Sequence, residues 1–194
     1  MEYVRDAIFT SITSQEDTPT HLVDTYCGAG FFAISLAPHF SVVTGVEISV
    51  ESIRSARHNA QLNSLPPPPE SEASKTIKTE TITFTAGKSE SIFESVSSFP
   101  PDKTVVIIDP PRKGCDKAFL DQLVRFRPKK LVYVSCNVHT QARDIGDLLR
   151  MMEKAGSGED ESVKGQTYVI ESLRGFDLFP QTAHVESVAV LTLR

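Results

Sequence analysis

The chain has 194 residues, enough for one sizeable α/β domain and short for two. A net charge of −5 excludes a strongly basic, self-sufficient nucleic-acid surface, and no apolar run reaches the roughly 18 residues that a membrane span needs. The three cysteines, Cys27, Cys115 and Cys136, lack metal-site spacing and are odd in number, which argues against a zinc site or a disulfide framework and for a reducing, intracellular compartment.

MEYVRDAIFTSI at the start carries both charges and no signal-peptide core, and reads as an amphipathic helix. HLVDTY (21–26) is a strand rich in β-branched residues, followed by a helical FFAISLA (31–37). SVVTGVEI (41–48) is the second strand and VESIRSARHNAQLN (50–63) the next helix. SLPPPPESEASK, within a stretch expected as a surface loop over 64–80, interrupts the pattern. TITFTA (81–86), TVVIIDPP (104–111) and KKLVYVSC (129–136) read as strands, with helical spacing over 116–126 and 139–155. A second, acidic loop is expected over 155–166, and two last strands close the chain, TYVIESLRGFDLFP and HVESVAVLTLR. Strands alternating with helices predict a parallel sheet with right-handed crossovers, ending in a hairpin at the edge of a mixed sheet. The alternation continues across both loops, so residues 1–194 are expected to form one domain.

The chemistry-bearing residues fall at strand ends. The first strand runs into D-T-Y-C-G-A-G, a Gly-x-Gly turn at Gly28 and Gly30 that lets backbone approach a ligand. Taken alone, these two glycines are explained equally well by an ordinary tight turn. Glu47, at the tip of the second strand, can accept hydrogen bonds from both ribose hydroxyls, or can simply be solvated. Turn and acid together point to an adenosine-containing cofactor. Asp24, just before the turn, would repel a pyrophosphate but suits a cationic amino-acid group, which favours S-adenosylmethionine over a nicotinamide cofactor. Asp109 opens D-P-P-R, where two prolines fix an extended corner at the carboxyl edge of the sheet. An aromatic residue after the prolines would suggest methylation of an exocyclic amine; Arg112 stands there instead.

Cys27 and Cys115 read as small buried hydrophobes. Cys136 differs: it ends the fifth strand between Ser135 and Asn137, before a helix N-terminus, an electropositive place that favours a thiolate nucleophile. Glu186 opens the last strand after His184, and is a general-base candidate if the hairpin returns to the same rim.

Four segments, LVDTYCGAGFF, GVEIS with ARHNAQLN, IIDPPRKG, and VYVSCN with FPQTAHVES, together resemble the RNA uracil-5-methyltransferase family, and within it the fungal tRNA enzymes. The resemblance covers nearly the whole chain. It implies a Rossmann-like class I S-adenosylmethionine-dependent fold, a mostly parallel seven-stranded sheet with an antiparallel C-terminal strand. It also implies a substrate that is RNA (tRNA or rRNA) rather than DNA. By motif, Tyr26, Gly28, Gly30, Glu47 and Asp109 would hold the cofactor, Lys88 and Ser89 would lie near its adenine, Cys136 would be the covalent nucleophile, Glu186 the base, and Asp109 would reach the target base as well. The family's N-terminal RNA-binding part and its F-F-Q-x-N segment have no counterpart in this sequence, which begins at MEYVRDAI. The sequence is therefore expected to be a catalytic C-terminal piece. It would be either an active uracil-5 methyltransferase or an inactive remnant that binds cofactor or a partner. A nicotinamide-dependent oxidoreductase has only the generic turn and acid in its favour.

Overall fold

The computed structural model describes residues 1–9, 18–65, 81–157 and 164–194. Helix α1 (Glu2–Phe9) leads to strand β1 (His21–Thr25), helix α2 (Phe31–Leu36), strand β2 (Val42–Glu47) and helix α3 (Val50–Leu62). Then come β3 (Thr81–Ala86), β4 (Thr104–Ile108), α4 (Lys117–Phe126), β5 (Lys130–Ser135), α5 (Val138–Gly156), β6 (Tyr168–Phe176) and β7 (Glu186–Leu193). The expected loop over 64–80 lies largely outside the described residues; of that over 155–166, residues 158–163 do, and α5 runs on to Gly156 before them.

One seven-stranded sheet takes the order β3-β2-β1-β4-β5-β7-β6. Strands β1 to β5 pair in parallel, and β7 runs antiparallel between β5 and β6. This is the mostly parallel sheet with a reversed C-terminal strand that the sequence predicts. The central strands are apolar on both faces because helices cover both: β4 reads Thr-Val-Val-Ile-Ile and is buried throughout. One core lies under α1, α2 and α3, with Leu22, Val43, Ile53, Ile107 and Val134 among its members. The other lies under α4 and α5, with Phe119, Leu123, Ile145, Leu148 and Met152.

Local chemistry sets the helix starts. Ser49 caps α3 by accepting from Ser52 N–H at 3.2 Å, and Asp116 caps α4 by accepting from Phe119 N–H at 2.8 Å. Gly30, at the start of α2, has no side chain to do this; instead Asp24 on β1 reaches across and accepts from Ala33 N–H at 2.9 Å. Strand β1 stops at Thr25, one residue short of the sequence expectation. Tyr26 turns to φ +59° there, and its ring packs on Phe119 with centroids 5.4 Å apart.

The strand order reverses between β1 and β4, so the crevice outside their carboxyl ends is the natural ligand site. Because β7 is reversed, its first residue, Glu186, emerges at the same rim as the last residues of β1 to β5.

The edge nearest that crevice is tightly packed. The Phe84 ring fills the space beside two glycines, and a Cβ built on Gly45 would stand 2.5 Å from Phe84 Cδ1 and 2.9 Å from Cys27 Sγ. Gly45→Ala is therefore expected to lower stability by about 1–3 kcal/mol through overpacking, read as a reduced midpoint in urea denaturation with an unchanged slope.

Candidate active site

Two cavities open at the carboxyl rim, one on each side of the Asp109–Arg112 corner. The first, about 390 Å³, is lined by Tyr26, Val46, Glu47, Ile48, Gly87, Ile92, Asp109, Pro111, Lys113, Gly114 and Asp116. The second, about 580 Å³, is lined by Arg112, Cys136, Asn137, Val138, His139, Ala183, His184 and Val185. Pro111 thus faces one compartment and Arg112 the other. Both volumes fall in the range of small-molecule sites.

The first compartment is acidic. Glu47 spans the two turns that frame it, accepting from Gly28 N–H at 3.3 Å and from Ser49 N–H at 3.0 Å. Both its oxygens are thereby oriented, and each keeps a further lone pair. Asp24 lies behind the cleft, fully buried. Its Oδ2 caps α2, while its Oδ1 has no hydrogen-bond donor among the described residues. Burial raises the Asp24 carboxyl to about 7, against the pull of the Ala33 N–H and with help from the charges of Asp109 and Glu47. Burial, and then Glu186, lift Asp109 to about 6. An unpartnered buried carboxylate oxygen behind a cleft of crowded acids fits a cationic ligand, and a strand-tip carboxylate with both oxygens held fits a ribose.

Of the residues expected to hold a cofactor, Tyr26, Glu47 and Asp109 line this cleft. Gly28 and Gly30 form the turn beside it, at φ +52° and +88°. At Gly30 the missing Cβ makes room for Ile34 and Phe84 rather than for the cleft. From the segment after β3 the cleft takes Gly87 and Ile92. Lys88 is exposed, and the Ser89 side chain lies outside the described residues. Sequence reasoning also missed Ile48, whose signal was an apolar residue directly after the strand-tip acid; it stands 69% exposed at the mouth.

The second compartment holds the thiol. Cys136 is half-buried, one residue before the Asn137 cap of the 19-residue α5, where Asn137 accepts from His139 N–H at 3.2 Å. Strands β5 and β7 pair Ser135 with Ser187 as the last step of their antiparallel register; Cys136 follows Ser135 and Glu186 precedes Ser187 at the same rim. Gln141, one turn into α5 and buried, fastens this junction. It donates to the Tyr133 and Ser187 carbonyls at 2.8 and 3.3 Å and accepts from Ser187 Oγ at 2.8 Å. Burial raises Glu186 above its ordinary value.

The corner between the compartments is tied to α5. Asn137 Nδ2 and Thr140 Oγ1 both donate to the Arg112 carbonyl at 3.2 Å, and Arg143 donates to the Lys113 carbonyl at 2.7 Å. The structure therefore gathers Asp109, Cys136 and Glu186 at one rim.

The raised carboxyls give the apoprotein a defined pH response. A carboxyl whose folded pKa lies above its unfolded value holds its proton longer in the folded state. Its contribution is full below the unfolded value, about 4, and is lost as pH rises through about 6 for Asp109 and about 7 for Asp24. Asp109→Asn is expected to lose less stability than the parent chain between pH 5 and pH 8, read by urea midpoints at the two values.

Comparison with known proteins adds a family pattern. The model of the tRNA (uracil-5-)-methyltransferase family matches residues 6–194. The tRNA (uracil(54)-C(5))-methyltransferase of Schizosaccharomyces pombe is 43% identical over 98% of this chain, and that of Saccharomyces cerevisiae 42% identical over 98%. The chain spans only 31% and 26% of the lengths of those relatives. Among solved structures, the Pyrococcus abyssi tRNA (uracil-54, C5)-methyltransferase in complex with S-adenosyl-L-homocysteine superposes with a TM-score of 0.64 at 28% identity, covering 91% of this chain and 36% of that one. A Streptococcus thermophilus rRNA methylase, at TM-score 0.61 and 10% identity over 98% of this chain and 93% of its own, shares the fold.

Proposed function

The chain belongs to the tRNA (uracil-5-)-methyltransferase family, and from that premise we propose that it carries the S-adenosylmethionine-dependent transfer of a methyl group to carbon 5 of a uridine in RNA, tRNA in the first instance, through a covalent Cys136 adduct. The observation that carries this reading is the division of the rim by the Asp109–Arg112 corner, with an acidic cleft of about 390 Å³ on one side and the cavity that holds the Cys136 thiol on the other.

In the first compartment Glu47 would accept from the ribose hydroxyls, Tyr26 would border the ligand, and Asp109 and the buried Asp24 would offset positive charge at its amino-acid end. Gly28 and Gly30 shape the adjoining turn. When bound, the cofactor supplies an electrophilic methyl on a positively charged sulfur.

Carbon 5 of uracil is a poor nucleophile on its own. Cys136, as the thiolate, adds to carbon 6, and the electron pair released makes an enolate that is nucleophilic at carbon 5. After alkylation carbon 5 still bears its proton. Glu186 removes it, the carbon 5–carbon 6 double bond re-forms, and the Cys136 thiolate leaves. Serine would not serve as well in place of Cys136, because an alkoxide is far less available near neutral pH. Prolines at 110 and 111 hold the corner that carries Asp109 between the two compartments, and the target base must leave its stack to reach Cys136. A thiolate nucleophile is compatible with a reducing compartment inside the cell.

The test is mechanism-based trapping. The chain is mixed with S-adenosylmethionine and tRNA carrying 5-fluorouridine, whose fluorine at carbon 5 cannot be removed as a proton. A covalent protein–RNA adduct is expected on denaturing gels, and Cys136→Ala should abolish it. No adduct with the parent chain would leave only a cofactor-binding role. With ordinary uridine, Glu186→Gln should transfer methyl yet retain a persistent covalent RNA complex; rapid release of normal product from that variant would rule out Glu186 as the base.

A further inference from the structure

The loop between β6 and β7 carries features that the methyl-transfer chemistry does not use. Phe179 is 42% exposed, and its ring meets that of His184 at a centroid distance of 6.3 Å and an interplanar angle of 82°. The rings are presented by a hydrogen-bonded turn. Thr182 Oγ1 donates to the Phe179 carbonyl at 2.8 Å and accepts from His184 N–H at 3.2 Å, while Thr182 N–H donates to the same carbonyl at 3.2 Å. Arg112 Nη2 lies 3.3 Å from His184 Nε2, which ties the turn to the Asp109–Arg112 corner. Arg112 and His184 line the same cavity as Cys136.

Exposed aromatic rings beside a reactive site mark a surface that meets a partner. The chain is acidic overall, yet this spot combines two rings with a guanidinium. That pairing matches an unstacked RNA nucleotide: the base has a π-face for a ring, and its phosphate has a charge for the guanidinium. With the rings near a right angle, a base laid on one ring would meet the edge of the other, which makes a corner rather than a flat plate.

We propose that Phe179 and His184 form a stacking corner for the unpaired base adjacent to the uridine at Cys136, with Arg112 beside the connecting phosphate. The proposal rests on the uridine reading for the identity of that neighbour, but its test does not require the reaction. In a Cys136→Ala background, which forms no adduct, binding of a short single-stranded RNA with one central uridine is measured by fluorescence anisotropy. Phe179→Ala and His184→Ala should each weaken binding roughly fivefold or more, the lower end for loss of base–aromatic stacking. His184→Phe should restore most of the affinity. Melting temperature and affinity for S-adenosylhomocysteine should stay at the parent values, because neither ring lines the first cavity. Placing 5-iodouridine next to the central uridine should direct photocrosslinks to the peptide containing Phe179 and His184. Unchanged affinity in Phe179→Ala, crosslinks confined to other peptides, or no saturable RNA binding would overturn the proposal. If Cys136 forms no adduct while the affinity losses are seen, the covalent reading fails and the stacking corner stands. A normal adduct with unchanged affinities defeats the corner alone.

Discussion

Asp144 is buried beneath the Asp109–Arg112 corner, 1% exposed, and its two oxygens hold three elements together. Oδ2 accepts from the Cys115 N–H at 2.7 Å and the Tyr133 hydroxyl at 2.6 Å, while Oδ1 accepts from Arg143 at 2.7 and 2.9 Å. Cys115 belongs to the loop after the corner, Tyr133 to β5 and Arg143 to α5. A buried carboxylate is tolerated only when its lone pairs are met by donors, and here each donor comes from a segment that frames the site. The loop must come very close to do this: a Cβ on Gly114 would collide with Asp144 Oδ2, and Gly114 sits at φ +80°, so glycine is needed on both counts. This buried carboxylate thereby ties the loop after the corner to β5 and to α5.

Above that anchor the site is organised by crowding of like charge. Asp24, Glu47, Asp109 and Glu186 converge from four strands on one rim, and three of them, Asp24, Asp109 and Glu186, are raised above their ordinary values, burial being the first cause in each case. Such crowding costs stability in the empty protein and is relieved by a ligand that brings positive charge. A cleft strained in this way favours a sulfonium with an α-ammonium group over a neutral or anionic ligand.

The same helix that carries Asp144 also fixes the opposite wall. Asn137, Thr140, Gln141 and Arg143, spread over the first two turns of α5, reach respectively the corner, the corner again, the β5–β7 junction and the loop after the corner. Cys136 stands at the head of this helix, and Glu186 at the head of the strand that Gln141 secures. These bonds hold the head of α5 and the start of β7 together at the rim.

Much of this was legible in the sequence. β-branched runs alternating with helical spacing gave the parallel sheet, because a strand covered on both faces must be apolar throughout. The placement of Glu47, Asp109 and Cys136 at strand ends put them at one rim, since parallel strands all point the same way. Glu186 was harder: only the reversal of β7 between β5 and β6 brings its first residue to that rim, and strand direction depends on pairing partners far away in the chain. The burial of Asp24 and its cap on α2, the steric role of Gly30 against Phe84, and the anchoring by Gln141 and Asp144 were not legible, because each rests on contacts between elements distant in sequence. The sequence by itself determined that Glu47, Asp109 and Cys136 lie at the carboxyl rim. Tertiary structure alone decided how they divide into two compartments, since that division depends on where a proline corner is held and on which helix holds it.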